Sequence, residues 1–192
     1  AIKNTLIGGN AGDAITTGGN NTVLGYDALG ANTIGNSNVA IGQNAMLTNV
    51  AADKNVAVGL GALQTMTSAT TADTYNTAVG YEAGLSVTSG IQNTIMGGLA
   101  GDALTTGSNN IAIGYAALTT EDAHGRNVAI GYAALNALNA GQDAYNVAVG
   151  YRAGVDISTG INNTIMGGNA GDALTTGSYN VALGYGALSA AN

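Results

Sequence analysis

The chain contains no cysteine, proline, tryptophan or phenylalanine among its 192 residues, and each absence narrows the choice of fold. Without cysteine, a small fold held by disulfides is excluded. Without proline, every residue keeps the backbone N–H that a continuous β-ladder requires. Without Phe or Trp, a wide globular core lacks its usual large side chains. A narrow interior is instead well filled by Ala, Val, Ile and Leu, so the absences favour a thin structure.

Charge is scarce as well, at 8% of residues, and only four residues are basic: Lys3, Lys54, Arg126 and Arg152. With a net charge of −7, the chain lacks the clustered Lys and Arg that nucleic acids or anionic membranes require. No apolar run approaches the roughly 18 residues of a membrane span, and the N-terminus does not resemble a signal peptide. An apolar content of 46% argues against disorder. The composition therefore predicts a folded chain without nucleic-acid partners or membrane insertion.

A five-residue motif organises the whole chain and occurs eleven times. It consists of Asn, then Thr, Val or Ile, an apolar residue, a large aliphatic residue, and Gly. We number positions from the Asn, which is position one. Eight of the ten spacings are 17 residues, and the other two are 21 and 19. The motifs begin at Asn4, Asn21, Asn38, Asn55, Asn76, Asn93, Asn110, Asn127, Asn146, Asn163 and Asn180.

So short a fixed period predicts an all-β, parallel β-solenoid of about eleven coils, forming a single repeat domain over residues 1–192. Side chains alternate along a strand, so positions two and four share one face. Position four is always a large aliphatic residue, which predicts that it fills the coil interior. Position three is Ala in seven coils and never polar, which predicts an interface between laterally associated chains. On this hypothesis, Ala129→Asp would block assembly.

Three further positions of the repeat carry the same residue type in many coils, and each set of equivalent residues is called a column. The Gly at position five predicts a corner that needs a positive φ or a close backbone approach, and the invariant Ala at position eight predicts inward packing. Six coils carry Tyr at position six, where the rings would stack at about the 4.8 Å strand spacing. These are Tyr26, Tyr81, Tyr115, Tyr132, Tyr151 and Tyr185.

Two further patterns concern length. Residues 75–118 resemble residues 145–188, which suits the lengthening of a rod by duplication. Three insertions are predicted, at 64–74, 119–126 and 136–144. They are interpreted as surface loops, and a binding side of the rod is the less favoured alternative. No capping element is evident beside the first or last motif, so we expect a segment of a longer fibre, or a filament subunit that stacks end to end.

The pentapeptide Asn-Val-Ala-Ile-Gly, present at 38–42 and 127–131, resembles the repeat of trimeric autotransporter adhesin heads. The longer form Asn-Thr-Ala-Val-Gly-Tyr-Glu-Ala at 76–83 is similar to repeats of bacterial surface proteins and phage tail fibres. The resemblance implies a left-handed β-roll that assembles as a homotrimer. It also implies an extracellular or cell-surface location, or a virion tail fibre, and attachment to a host receptor or glycan. The usual coil of this chain, at 17 residues, is longer than that of the adhesin heads.

Residues for chemistry are few. His124, the only histidine, is predicted to lie in an exposed polar loop beside Glu121 and Asp122. The repeated aspartates Asp13, Asp102 and Asp172 lack the glycine spacing of calcium-binding β-rolls and are interpreted as turn residues. The column of Asn residues at position one is expected to form an internal hydrogen-bonded ladder. We therefore predict no catalytic residue, no metal site and no cofactor, and assign no ligand-binding residue.

The sequence thus predicts a structural and adhesive fibre segment that is not an enzyme. The alternative is a carbohydrate- or ice-binding solenoid, and a second alternative is a self-stacking filament subunit. Exposure of the tyrosine column separates the first two hypotheses. A solvent-facing row of Tyr26, Tyr115 and Tyr132 favours glycan binding, whereas a buried row favours a plain spacer.

Overall fold

The structure is a computed structural model that describes residues 3–68, 71–121 and 123–189. Within these residues it contains short strands and no helix. The strands are β1 (Thr5–Ile7), β2 (Thr22–Leu24), β3 (Val39–Ile41), β4 (Ala52–Asp53), β5 (Val56–Val58), β6 (Ala72–Asp73), β7 (Thr77–Val79), β8 (Thr94–Met96), β9 (Ile111–Ile113), β10 (Val128–Ile130), β11 (Val147–Val149), β12 (Thr164–Met166) and β13 (Val181–Leu183).

Eleven of these strands, one from each motif, form a single parallel sheet in chain order, while β4 and β6 pair separately. The register aligns equivalent positions throughout, so that Ala40 pairs with Ala57 and Ala129 with Ala148. Each turn of the chain therefore places one coil on the next. The predicted parallel β-solenoid, with a period mostly of 17 residues and about ten turns between its first and last strands, is confirmed.

The glycine at position five forms the predicted corner. At Gly25 the φ angle is 142°, and a Cβ added there would lie 2.6 Å from the carbonyl oxygen of Gly42 in the next coil. Both a positive φ and a close backbone approach exclude larger residues. Non-glycine residues with positive φ angles of 51 to 62° form further bends, as at Asn44, Met46 and Lys54 within one coil. These left-handed residues fold a short repeat into a closed loop.

The predicted assignment of the two strand faces was wrong. Position three is buried in ten coils, and only Leu6 in the first coil is exposed. Position four, by contrast, is half-buried or exposed in every coil, as at Ile7 and Ile41. The small position-three residues lie in one buried cluster with larger side chains from the rest of the coil, including Leu104 and Leu138. The position-four residues point outward.

Positions three and nine fill neighbouring parts of the core, and in most coils a large residue at one position accompanies a small residue at the other. Where position three is Leu or Ile, as at Ile95 and Ile165, position nine is glycine. A Cβ on Gly101 would lie 2.9 Å from Leu104 Cδ1 and 3.5 Å from Ile95 Cδ1. Where position three is alanine, as at Ala129, position nine is a buried Leu or Met in four of the seven coils and glycine in two. The alanine column at position eight packs inward as predicted, from Ala11 to Ala170. The interior is therefore thin and closely filled.

The segment 119–126 is not an insertion, which corrects the prediction from sequence. It completes a regular coil, since Asn110 and Asn127 are 17 residues apart. Glu121 occupies position twelve, where neighbouring coils carry the buried Leu104 and Leu138, and it is itself fully buried. The interpretation of Glu121 as part of an exposed polar loop is therefore wrong.

Candidate functional site

An outer face formed by positions two and four runs along the rod from β1 to β13. Its residues are aliphatic, Met or Thr, and none is fully buried. No charged residue or histidine occurs at positions one to six of any coil, although the chain contains four basic and eleven acidic residues. An uncharged, partly apolar surface of this length is unusual for a chain that stays single in water.

A column of tyrosines borders the outer face, just past the Gly corner. The side chains of Tyr26, Tyr81, Tyr115, Tyr132 and Tyr151 are 48 to 56% exposed, and Tyr185 is more exposed still. Three consecutive rings are stacked. The ring centroids of Tyr115 and Tyr132 lie 5.6 Å apart, and those of Tyr132 and Tyr151 lie 5.3 Å apart. The expected stack is therefore present where three coils in a row carry Tyr, and it faces solvent in the single chain.

The asparagines at position one form the internal ladder predicted from the sequence. The Oδ1 atom of each accepts a hydrogen bond from the backbone N–H of the next, for example Asn93 from Asn110 at 2.9 Å. This bond occurs at all ten steps from Asn4 to Asn180. The Nδ2 of Asn93 also donates to the Gly107 carbonyl at 2.8 Å. The column is therefore occupied by structural bonds within the chain.

Two exposed clusters of charged residues and tyrosines link the two longer coils to the coils before them. Lys54 Nζ donates to Asp73 Oδ2 at 2.7 Å and lies 5.2 Å from the Tyr75 ring centroid. The Tyr75 hydroxyl donates to the same carboxylate at 2.8 Å. These bonds lower the pKa of Asp73 and raise that of Lys54.

The second cluster repeats this arrangement four coils further along. Arg126 pairs with Asp143, donates to the Tyr145 hydroxyl at 3.0 Å, and lies over the Tyr145 ring. Both clusters stand where the predicted insertions 64–74 and 136–144 rejoin the rod. They anchor the ends of these segments. Sequence inspection missed both clusters, although each Asp lies two residues before a Tyr that directly precedes a motif.

The three repeated aspartates do not come together, because they lie in coils that are several repeats apart. Asp13 is exposed, whereas Asp102 and Asp172 are half-buried, each with an Oδ1 that lacks a hydrogen-bond partner. Burial raises the pKa of Asp102, opposed by hydrogen bonds from the backbone of Asp102 and Ala103. No group of three or more potential metal ligands occurs among the described residues.

Replacing Asp102 by Asn is expected to raise the melting temperature at pH 7. Because the pKa of Asp102 is higher in the folded chain than its ordinary value of 3.8, wild-type stability falls as the pH rises through the range between these two values. The gain should therefore shrink when both proteins are melted below that range. Asp13→Asn, at an exposed site in the same position, is the control. A gain that stays constant with pH would contradict this explanation.

His124 is half-buried, and its Nδ1 lies 3.6 Å from Glu121 Oε1, which also accepts the His124 backbone N–H at 3.3 Å. The predicted neighbour Asp122 lies outside the described residues. In this turn Glu121 resembles Asn32 and Asn49, which accept the same bond three residues ahead, from Gly35 and Ala52. Its position indicates a role in closing a turn inside the core.

Threonine hydroxyls along one corner are also bound within the chain. Thr16, Thr33 and Thr88 donate to backbone carbonyls of the following coil at 3.0 to 3.3 Å. These donors stabilise coil stacking and are not presented to solvent as an ordered array. The observation favours a structural role over the ice-binding alternative.

Comparisons of the chain with protein-family models, with curated proteins and with solved structures find no match. In the described part of the chain, no helix is long and apolar enough to cross a membrane. Among the residues that the structure describes, the outer face and the tyrosine column remain the two extended exposed surfaces whose side chains are mostly not taken up by bonds within the chain.

Proposed function

We propose that this chain is a structural and adhesive segment of an extracellular fibre, assembled as a homotrimer and used for attachment to a host or cell surface. The single observation that carries the proposal is the uncharged outer face. It is continuous over eleven coils, and a single chain leaves it in contact with water.

Other copies of the same chain are the occupant that fits this face. Around a rotation axis parallel to the rod, each coil meets the same coil of its neighbours. Thr then faces Thr at β1 and β8, and Val faces Val at β5 and β11. No charge is buried at any level, so association carries no penalty for desolvating ions. Aliphatic burial along the rod would supply the stabilisation.

The proposed homotrimer is tested by measuring the absolute mass of the protein in solution. Light scattering on a size-exclusion column should give about three times the chain mass of 18.7 kDa. A monomer at micromolar concentration would contradict the trimer. Larger species that grow with concentration would instead support the alternative of end-to-end filament growth.

Methionine oxidation provides an independent prediction about the face involved. Met96 and Met166 lie on the outer face and are 45% and 42% exposed, whereas Met46 and Met66 lie in the core at 0% and 1%. In the assembled protein, hydrogen peroxide should oxidise all four slowly. Disassembly without unfolding should expose Met96 and Met166 alone. Rapid oxidation of these two in the intact oligomer, read by mass spectrometry, would place the interface elsewhere.

The second candidate function is a carbohydrate-binding module, and the observation that favours it is the exposed tyrosine column. The column lies beside the outer face and not within it, so the two functions are compatible. A fibre that attaches to a surface needs a recognition element, which the tyrosines offer. The proposal that the chain is no enzyme is checked by a glycan-degradation assay.

A further inference from the structure

Position six contains tyrosine in six coils, and glycine interrupts the column twice between tyrosines. Gly98 stands between Tyr81 and Tyr115, and Gly168 stands between Tyr151 and Tyr185. We call these two places the ring gaps. The complete column reads Gly9, Tyr26, Gln43, Leu60, Tyr81, Gly98, Tyr115, Tyr132, Tyr151, Gly168 and Tyr185.

The width of a ring gap follows from the stack beside it. Tyrosines in adjacent coils have their ring centroids 5.3 to 5.6 Å apart. Tyr81 and Tyr115 are two coils apart, so their rings are separated by about twice that spacing. One aromatic ring placed midway would lie within the range of about 4.5 to 7 Å at which aromatic rings pack against each other, and a pyranose ring has a similar diameter. Each gap therefore has the width of one six-membered ring.

The walls of the ring gaps are apolar. The following tyrosine packs over the glycine, because a Cβ on Gly98 would lie 3.6 Å from Tyr115 Cδ2, and one on Gly168 would lie 3.4 Å from Tyr185 Cδ2. The glycine backbone is thus the floor of each gap. Met96 and Met166, two residues before these glycines, are partly exposed on the outer-face side.

Polar groups lie around the same two gaps. The neighbouring Glu82 carboxylate raises the pKa of Tyr81, chiefly through its interaction with the Tyr81 hydroxyl. At the second gap, Asn169 Nδ2 lies 3.5 Å from the Tyr185 hydroxyl, and the exposed Arg152 follows Tyr151. Apolar walls with polar groups at the edge suit a ligand that has an apolar face and a hydroxylated rim.

We infer that the ring gaps are two binding sites for single pyranose rings of a surface glycan, each held between two tyrosines. The C–H faces of the sugar pack against the phenol rings, and its hydroxyls reach the tyrosine hydroxyls and Glu82, or Arg152 and Asn169. Because each gap is open to solvent at its side, the rest of a glycan chain can extend away. The inference deepens the proposed attachment function by naming the ligand class, but each site lies within one chain.

The test fills the gaps with the residue that the chain itself uses at this position. Neither glycine has a positive φ, and an added Cβ meets only van der Waals contacts, so Gly98→Tyr and Gly168→Tyr should fold. Saturation-transfer NMR is recorded with methyl pyranosides of glucose, galactose and mannose at millimolar concentration. Wild type should saturate at least one of them, each single variant about half as strongly, and the double variant should lose the signal.

A matched variant creates a gap where none exists. Tyr132→Gly removes the middle ring between Tyr115 and Tyr151 and should raise the saturation by about half, as three independent sites replace two. Absence of pyranoside saturation in wild type, or undiminished saturation in the double variant, would overturn the inference. The inference would also be overturned if the chain bound indole, a flat aromatic probe, and none of the pyranosides. Light scattering on the same samples measures the oligomeric state independently of sugar binding. A monomer that still binds the sugar would contradict the proposed trimeric fibre but not the two glycan sites.

Discussion

Replacing Ala129 by Asp is expected to prevent the chain from folding. Ala129 is fully buried in β10, between Ala112 and Ala148 of the neighbouring coils. A carboxylate there would be enclosed by aliphatic side chains with no cation in reach. Burying an unpaired charge costs about 3–5 kcal/mol or more, which is comparable with the total stability of many domains. Circular dichroism should show lost β-structure, or expression should yield only insoluble protein.

Ile130→Asp, one residue further along the same strand, is the matched variant. Ile130 points outward and is half-buried, so the carboxylate would remain hydrated in the single chain. The variant should keep its circular dichroism spectrum but run as a monomer, because assembly would bring like charges together at the outer face. A folded Ala129→Asp protein with an altered oligomeric state would restore the original face assignment, and an unfolded Ile130→Asp protein would also contradict the structure.

The fold was readable from the sequence because the repeat leaves few alternatives. A fixed spacing of Asn and Gly defines one strand and one corner per coil, and the structure places both as predicted. Residue size did not reveal which face of the strand is buried. Ile41 is larger than Ala40, and size normally indicates burial, but Ala40 lies inside. The interior also contains larger side chains from the rest of the coil, such as Leu104, and their placement depends on the whole coil and not on the strand.

The exchange between positions three and nine is a signal that the sequence did contain. Ile95 and Ile165 each stand six residues before a glycine, whereas Ala40 and Ala129 stand six residues before Met46 and Leu135. Such compensation indicates that both positions share one volume. The pattern fails at Ala78 and Ala148, which also stand six residues before a glycine, so it was only a partial signal that position three lies in the core. Glu121 had no comparable signal, since an acidic residue next to the only histidine ordinarily indicates a solvated turn.

The surfaces that carry the proposals were partly predictable. The tyrosine column was evident from its spacing, and its stacking from the distance between coils. The ring gaps were equally present in the sequence, as glycines that lie one coil away from a tyrosine on either side. Whether such a glycine leaves a gap depends on the direction in which the neighbouring tyrosine rings point. The structure shows this direction through the contacts of Tyr115 over Gly98 and of Tyr185 over Gly168.

Replacing Asn93 by Ala is expected to produce the second large effect. The substitution removes the acceptor of the Asn110 backbone N–H and the donor to the Gly107 carbonyl. Both lie inside the stack, out of reach of water. An unsatisfied buried group costs about 1–3 kcal/mol, so the two together should lower the free energy of unfolding by about 2–6 kcal/mol. Thermal denaturation should show a large decrease in melting temperature, and the Asn110 amide should exchange its hydrogen much faster.

Two further variants separate the ladder from a general effect of losing an amide. Asn139→Ala removes an exposed side chain and should leave the melting temperature almost unchanged. Asn93→Asp keeps the acceptor for Asn110 but turns a carboxylate toward the Gly107 carbonyl and Asn76 Oδ1. Its destabilisation should therefore be greater at pH 7 than in acid, where the protonated side chain donates one hydrogen bond again. Equal losses for Asn93→Ala and Asn139→Ala would show that the ladder does not hold the coils together, and that the backbone hydrogen bonds of the sheet and aliphatic packing do so.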